Sequence, residues 1–293
     1  MIGYAHPAYA TSLSEFGTPR YLPWPKTWVL VRRIDRTPYY DGRGLYPLTL
    51  CEDWYALRED MSSLSDLISL VFVTDPFGDY TLDNLSFLDL CAEYKTHYFI
   101  DTELDITHSP HNLRAAKKAG EKLDSITFHP YPHRLLGDWN RLYSNLIEHH
   151  HITGIAAFSK AAFAVQLQVP GIAAWVARLG GEIVCILLWY IHDDVAYYHL
   201  GASSEKGYEV GASHALFEAA ITSLKDRVRY ISLGGGSGLT QAEDGLTRFK
   251  RGWAPLTRTS YLCGKVLRPD IYESLSQDLN GNYFPLYRKE VSE

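Results

Sequence analysis

The chain reads as an α/β (α+β) protein built on a mixed, mainly antiparallel sheet flanked by helices. Three observations predict this. Short β-rich apolar runs, among them residues 28–34, 67–73 and 183–191, recur along the 293 residues. Segments with helical spacing lie between them. The clearest is 138–150, where Trp139, Leu142, Tyr143, Leu146 and Ile147 recur every three or four positions. In the second half, strands and helices then alternate in order, the pattern of a sheet covered by helices.

Each element can be justified in turn. Residues 1–26 are rich in Pro, Tyr and Ser and read as an extended lead-in. A first strand is expected at 28–34, a helix around 54–58, and a second strand at 67–73 that stops at the turn signal Asp75-Pro-Phe-Gly78. A short helix at 84–91 and a strand at 96–100 follow. The next helix has both a start and a stop: Ser109 can cap it, Pro110 suits its first turn and Gly120 its exit. Arg114, Lys117 and Lys118 share one face of it, either solvated or in contact with phosphate. A strand at 126–130 and the helix at 138–150 come next. The second half is expected to hold a helix at 159–168 and strands at 172–179 and 183–191. After the His192-Asp-Asp194 hairpin come a strand at 195–200, a loop, a helix at 212–224, and strands at 230–233 and 260–266. This divides the chain into an N-terminal half at 1–136, a linking helix at 137–151 and a C-terminal half at 152–293.

Composition excludes several classes. Hydrophobic residues make up 46% and charged residues 21%, enough apolar material for a sizeable core. The net charge of −6 is not that of a protein that wraps nucleic acid. The charge is unevenly spread, however: residues 225–268 hold nine Lys/Arg against three acids, an excess that can attract a phosphate-bearing donor if those side chains share a face. The four cysteines lie far apart with no C-x-x-C, which reads as reduced, buried thiols. The start of the chain lacks a basic, apolar leader, and the most apolar run, 183–191, is too short to span a bilayer, so a cytoplasmic protein is expected. His149, His150 and His151 are consecutive, and on a helix they point about 100° apart, so they do not converge on one ion. No HExxH motif, dinucleotide fingerprint or phosphate-binding P-loop is present, so neither a metal nor a nucleotide cofactor is expected.

The most informative stretch runs from Tyr230-Ile-Ser-Leu into Gly234, Gly235 and Gly236, and then from Asp244 to Trp253. An apolar strand ends in glycines, where bare backbone lets another group approach. A turn or short helix then presents Phe249 beside Lys250. Such a place can receive an acyl group and steady a developing negative charge. A Gly-rich connection with a solvated basic turn is the alternative.

Leu233-Gly-Gly-Gly-Ser-Gly238, then Asp244-Gly-Leu-x-x-Phe-Lys-x-Gly-Trp253, then Tyr261-Leu-Cys-Gly-Lys265 resemble the C-terminal signature of the Fem-like acyltransferases. These are a branch of the GNAT superfamily related to the FemA, FemB and FemX peptidyltransferases of cell-wall synthesis. The resemblance covers residues 152–268, and 111–120 is similar to the basic helix that precedes the second half in such proteins. It implies a GNAT-type fold, with two GNAT-like halves, and transfer of an aminoacyl group from charged tRNA to an amine on a peptide, cell-wall precursor, sugar or small molecule. The donor would be a co-substrate and no bound cofactor is implied. Lys250 would stabilise the oxyanion or the leaving group and Phe249 would pack beside the donor. Gly234, Gly235 and Gly236 would leave room for the acyl chain, and Arg248, Arg251, Trp253 and Tyr261 would help bind the donor. Asp244 and His199 are candidates for the general base by type and position.

Two other readings remain. Acyl-CoA-dependent GNAT enzymes carry an Arg/Gln-x-x-Gly-x-Gly/Ala loop for the pyrophosphate. The equivalent stretch here, residues 204–212, has glycines four apart, and Glu205 and Glu209 oppose an anion. That departure weighs against an acyl-CoA or carrier-protein donor without removing it. A binding protein that keeps the fold without the chemistry is the alternative from another class.

Overall fold

The computed structural model describes residues 1–236 and 245–289. In chain order its elements are α1 (Pro7–Ser12), β1 (Thr18–Leu22), β2 (Thr27–Arg33), β3 (Tyr40–Gly44), α2 (Leu57–Asp60), β4 (Leu67–Val73), β5 (Leu90–Asp101), α3 (Pro110–Gly120), β6 (Ser125–His129) and α4 (Leu136–His150). Then come α5 (Lys160–Gln166), β7 (Ile172–Leu179), β8 (Glu182–His192), β9 (Val195–Ser203), α6 (Glu205–Val210), α7 (Ala212–Leu224), β10 (Tyr230–Gly235), α8 (Gly245–Trp253), β11 (Leu256–Val266) and α9 (Pro269–Ser276). The fold is mixed α/β, with mainly antiparallel strands flanked by helices, as expected.

The chain forms two compact units. One is Gly3–Tyr94 with Thr259–Glu293; the other is Lys95–Arg258. The divisions fall within strands β5 and β11, not at residues 136 and 152, and the helix expected to link two halves, α4, lies inside the second unit. Its apolar stripe explains why: Trp139, Leu142 and Tyr143 are buried, with Trp139 and Tyr143 packed on Phe163 of α5. A helix with a wide apolar face packs as a core element.

In the first unit the strand order is β1-β2-β3-β4-β11. β3 and β4 are parallel, and the other neighbours are antiparallel. Trp54, Leu57, Leu64, Leu70 and Phe72 form its core. The amino-terminal segment is not an extended lead-in. Tyr4, Tyr9 and Leu13 are buried around α1, and β1 pairs with β2, so the aromatic residues of this segment fold as core. Asp41, fully buried on β3, accepts hydrogen bonds from Arg32 Nε at 3.0 Å and Arg288 Nε at 2.8 Å.

In the second unit the order is β5-β10-β9-β8-β7-β6, with β10 and β9 parallel and the rest antiparallel. Trp175, Leu187, Trp189, Leu216, Phe217 and Trp253 pack on one face of this sheet, beneath α7 and α8. On the other face, Tyr190 and His199 meet Phe158 and the α5 region. β10 is thus an inner strand, held between β5 and β9.

Candidate active site

The second unit carries most of the residues that the sequence singles out. β9 and β10 pair at Val195, Ala196 and Tyr197 with Tyr230, Ile231 and Ser232. Beyond those residues the two strands part, while β9 continues to Ser203 and β10 to Gly235. The register of β10 against β5 slips between Ser232 and Gly234, where Gly234 takes φ +74°. That conformation suits glycine, which has no Cβ to clash, and the bulge re-aims the strand end. The run of glycines therefore does local work: it bends β10 where it leaves β9.

Lys250 of α8 reaches this strand end. Its Nζ donates to the Gly235 carbonyl at 2.6 Å and lies 5.7 Å from the centre of the Tyr198 ring. A Cβ on Gly234 would lie 3.5 Å from the same nitrogen. Lys250 is only 6% exposed, so its ammonium acts in a site largely closed to water, where a charge is felt more strongly. Tyr198 beneath it has its pKa raised, burial being the largest cause. The alternative of a solvated basic turn does not hold at Lys250, whose side chain is folded inward.

His97 was not anticipated. It sits on β5 directly across from Gly235 and is 7% exposed, with a buried Nδ1 that has no hydrogen-bond partner among the described residues. Burial, then the charges of Lys250 and Lys95, lowers its pKa to about 3, so it is neutral at ordinary pH. In the sequence it is one histidine within an expected strand; only the cross-strand register brings it to the glycines.

The other expected site residues fall in several places. Phe249 is half-buried and packs edge-on against His214 at 4.8 Å and Phe217 at 5.0 Å, so much of its ring serves the core. Arg248 and Arg251 are exposed and line a cleft of about 830 Å³ with residues from the start of α3. A Cβ on Gly236 would come 2.5 Å from Thr247 Oγ1, so a larger residue there would have to displace that hydroxyl at the start of α8. Trp253 is 1% exposed and belongs to the core, its carbonyl accepting from His108 Nδ1 at 2.7 Å; it has little surface left for a donor. Tyr261 belongs to the first unit, where its N–H donates to Thr74 Oγ1 at 2.9 Å. Arg114, Lys117 and Lys118 are exposed on α3, outside the residues lining the cleft. Asp244 lies outside the described residues.

His199 is on the face of β9 opposite Tyr198 and Lys250, because neighbouring strand residues point to opposite sides. Its Nε2 is 3.3 Å from Gln166 Oε1, and burial lowers its pKa to about 3. The stretch after β9, expected as a loop, forms α6. Ser204 Oγ accepts from the Gly207 N–H at 3.2 Å, so that helix start is already capped by its own side chain.

Comparisons with known proteins agree on this architecture. A family profile described as an acetyltransferase (GNAT) domain matches residues 109–251. The crystal structure of FemX superposes with a TM-score of 0.66 at 12% identity, over 92% of this chain and 93% of that one. The C-terminal domain of a putative lysylphosphatidylglycerol synthetase from Agrobacterium fabrum gives 0.62 at 13% identity, over 92% and 89%. L-PGS from Bacillus licheniformis gives 0.57 at 14%, over 89% and 92%. No curated protein matches the chain in sequence. The chain has the fold of the GNAT acyltransferases. Among the described residues, no helix is long and apolar enough to cross a membrane.

Proposed function

We propose that this protein is a Fem-like N-acyltransferase that moves an aminoacyl group from charged tRNA to an amine, forming an amide on a peptide or cell-wall precursor. The observation that carries this reading is the inward-folded Lys250 at the point where β9 and β10 part. The amine attacks the ester carbonyl and the carbonyl oxygen becomes an oxyanion. Lys250 Nζ donates to that oxygen; the intermediate then collapses, expelling the ribose oxygen, which takes up a proton. A positioned donor in a dry site is worth more to this step than the same group in water. Asp244 remains a candidate for the proton acceptor, and His97 joins it by its place across from Gly235; His199, on the far face of β9, is turned away from Lys250.

Three further observations support the reading. The strand order of each unit is a run of antiparallel strands, one parallel pair and a closing antiparallel strand, β11 in the first and β5 in the second, as two GNAT-like halves would have. One of the similar structures has a name that describes an aminoacylated lipid product, lysylphosphatidylglycerol. The start of α6 is capped by Ser204 and flanked by exposed Glu205 and Glu209, which disfavours pyrophosphate there and with it the acyl-CoA alternative. Arg114, Lys117 and Lys118 would contact donor phosphates.

A donor screen tests the proposal. Purified protein is offered charged tRNAs and acyl-CoA species with a panel of amines, and products are read by mass. An amide formed from charged tRNA alone is the expected result. Product from acyl-CoA alone selects the alternative donor, and no product from any donor favours a binding protein on the same fold.

A further inference from the structure

The cleft beside α8 does not have Lys250 among its lining residues and has its own chemistry. Its volume is about 830 Å³, and Ser109, His111, His214, Arg248, Phe249 and Arg251 are among its lining residues. None of the ten described residues that line it is acidic. Two guanidinium groups and two imidazoles thus converge from α3, α7 and α8 on one hollow. Guanidinium is suited to oxyanions because its planar fork donates two parallel hydrogen bonds.

The walls are fixed in advance. Asn112 Nδ2 donates to the Phe249 carbonyl at 3.0 Å, and the Ser109 N–H donates to the Gly252 carbonyl at 2.7 Å. A Cβ on Gly252 would come within 2.7 Å of Asn112 Nδ2, so α3 and α8 meet this closely only with glycine there. His214 stands between them, edge-on to Phe249 at 4.8 Å and 6.4 Å from the His111 ring. Its Nδ1 is buried beside the Gly211 backbone and makes no hydrogen bond of good geometry among the described residues. Burial first, and repulsion from His111 second, lower its pKa, and the weak contact with the Gly211 backbone partly opposes that shift. An anion in the hollow would offset that repulsion.

We infer that this cleft binds a phosphate group of the acyl donor, held chiefly by Arg248 with Arg251, His111 and His214. The inference rests on the acyl-transfer reading and deepens it, since α8 also carries Lys250. It also gives the donor phosphate a seat away from the self-capped start of α6. The phosphate can come from the 3′ end of an RNA or from coenzyme A.

Equilibrium binding of inorganic pyrophosphate to the intact protein tests this without turnover, so a failure here leaves the role of Lys250 standing and the reverse also holds. Saturable binding is expected, weakened by salt and weakened at least about tenfold in Arg248→Ala, the loss of one charge-assisted contact. His214→Gln gives a second, independent loss, and circular dichroism confirms that both variants are folded. Displacement of pyrophosphate by an RNA oligonucleotide ending in CCA assigns the phosphate to tRNA, and displacement by coenzyme A assigns it to an acyl-CoA. No saturable binding at millimolar pyrophosphate, equal binding in wild type and both variants, or displacement by neither ligand overturns the inference.

Discussion

Single residues here take their meaning from what surrounds them. Lys250 and Arg251 are adjacent cations in the sequence, yet one is buried against a strand end and the other faces solvent. The same contrast separates Asp41 from the surface acids. Asp41 is fully buried and receives hydrogen bonds from Arg32, Arg288 and, at 3.3 Å, the Tyr287 hydroxyl. It ties the turn Leu286–Arg288 to β2 and β3. Removing the carboxylate leaves two guanidinium groups, each about four-fifths buried, without the carboxylate that pairs with both, Arg288 keeping only the weaker field of Asp35. Asp41→Ala should therefore cost about 3–5 kcal/mol, read as the change in unfolding free energy by urea titration. A loss below about 1 kcal/mol, the range of an exposed pair, would show that solvent replaces the carboxylate.

Elements were legible where their local signals were strong. The sequence placed β4 and α7 at the residues observed, because each is an apolar run or stripe bounded by breakers. α3 begins as expected, with Ser109 Oγ accepting from the His111 N–H at 3.3 Å. β3 was missed: Tyr40-Asp-Gly-Arg-Gly44 has no apolar alternation, and its place in the sheet comes from pairing on both edges. The helix expected at 84–91 is one turn of 3-10 helix followed by β5, since long-range pairing outweighs local preference there. Of the site, Lys250, Phe249 and the glycines were legible as a motif. That His199 points away from Lys250, and that His97 faces Gly235, depend on strand register and could not be read locally. α6 supplies a test of such packing. Gly207 sits so close to β8 that a Cβ would strike the Val184 carbonyl. Gly207→Ala should destabilise the protein by about 1–3 kcal/mol, visible as a lowered Tm, whereas an unchanged Tm would mean that α6 can shift freely.

At the scale of the whole molecule, two buried histidines link stability to pH. His97 and His199 have folded-state pKa values lowered to about 3, burial being the largest cause for each. Between the folded value and the unfolded value near 6.5, the unfolded chain binds protons that the folded one does not. Stability from these groups is complete above about pH 6.5 and is lost as pH falls toward 3, by up to about 1.4 kcal/mol per pH unit for each. Urea midpoints across this range should fall steadily with acid, and His199→Phe should flatten the slope; an identical slope in that variant would contradict the linkage. The central claim is that an acyltransferase fold of two compact units places one buried cation where a carbonyl oxygen becomes negative. The measurement that tests it most directly is the single-turnover rate of acyl transfer by Lys250→Ala, with the donor identified by screening and Lys206→Ala as an exposed control. The account predicts a fall of about 10²–10³ with the fold intact, partly restored in Lys250→Arg. A rate for Lys250→Ala close to that of the control would contradict it.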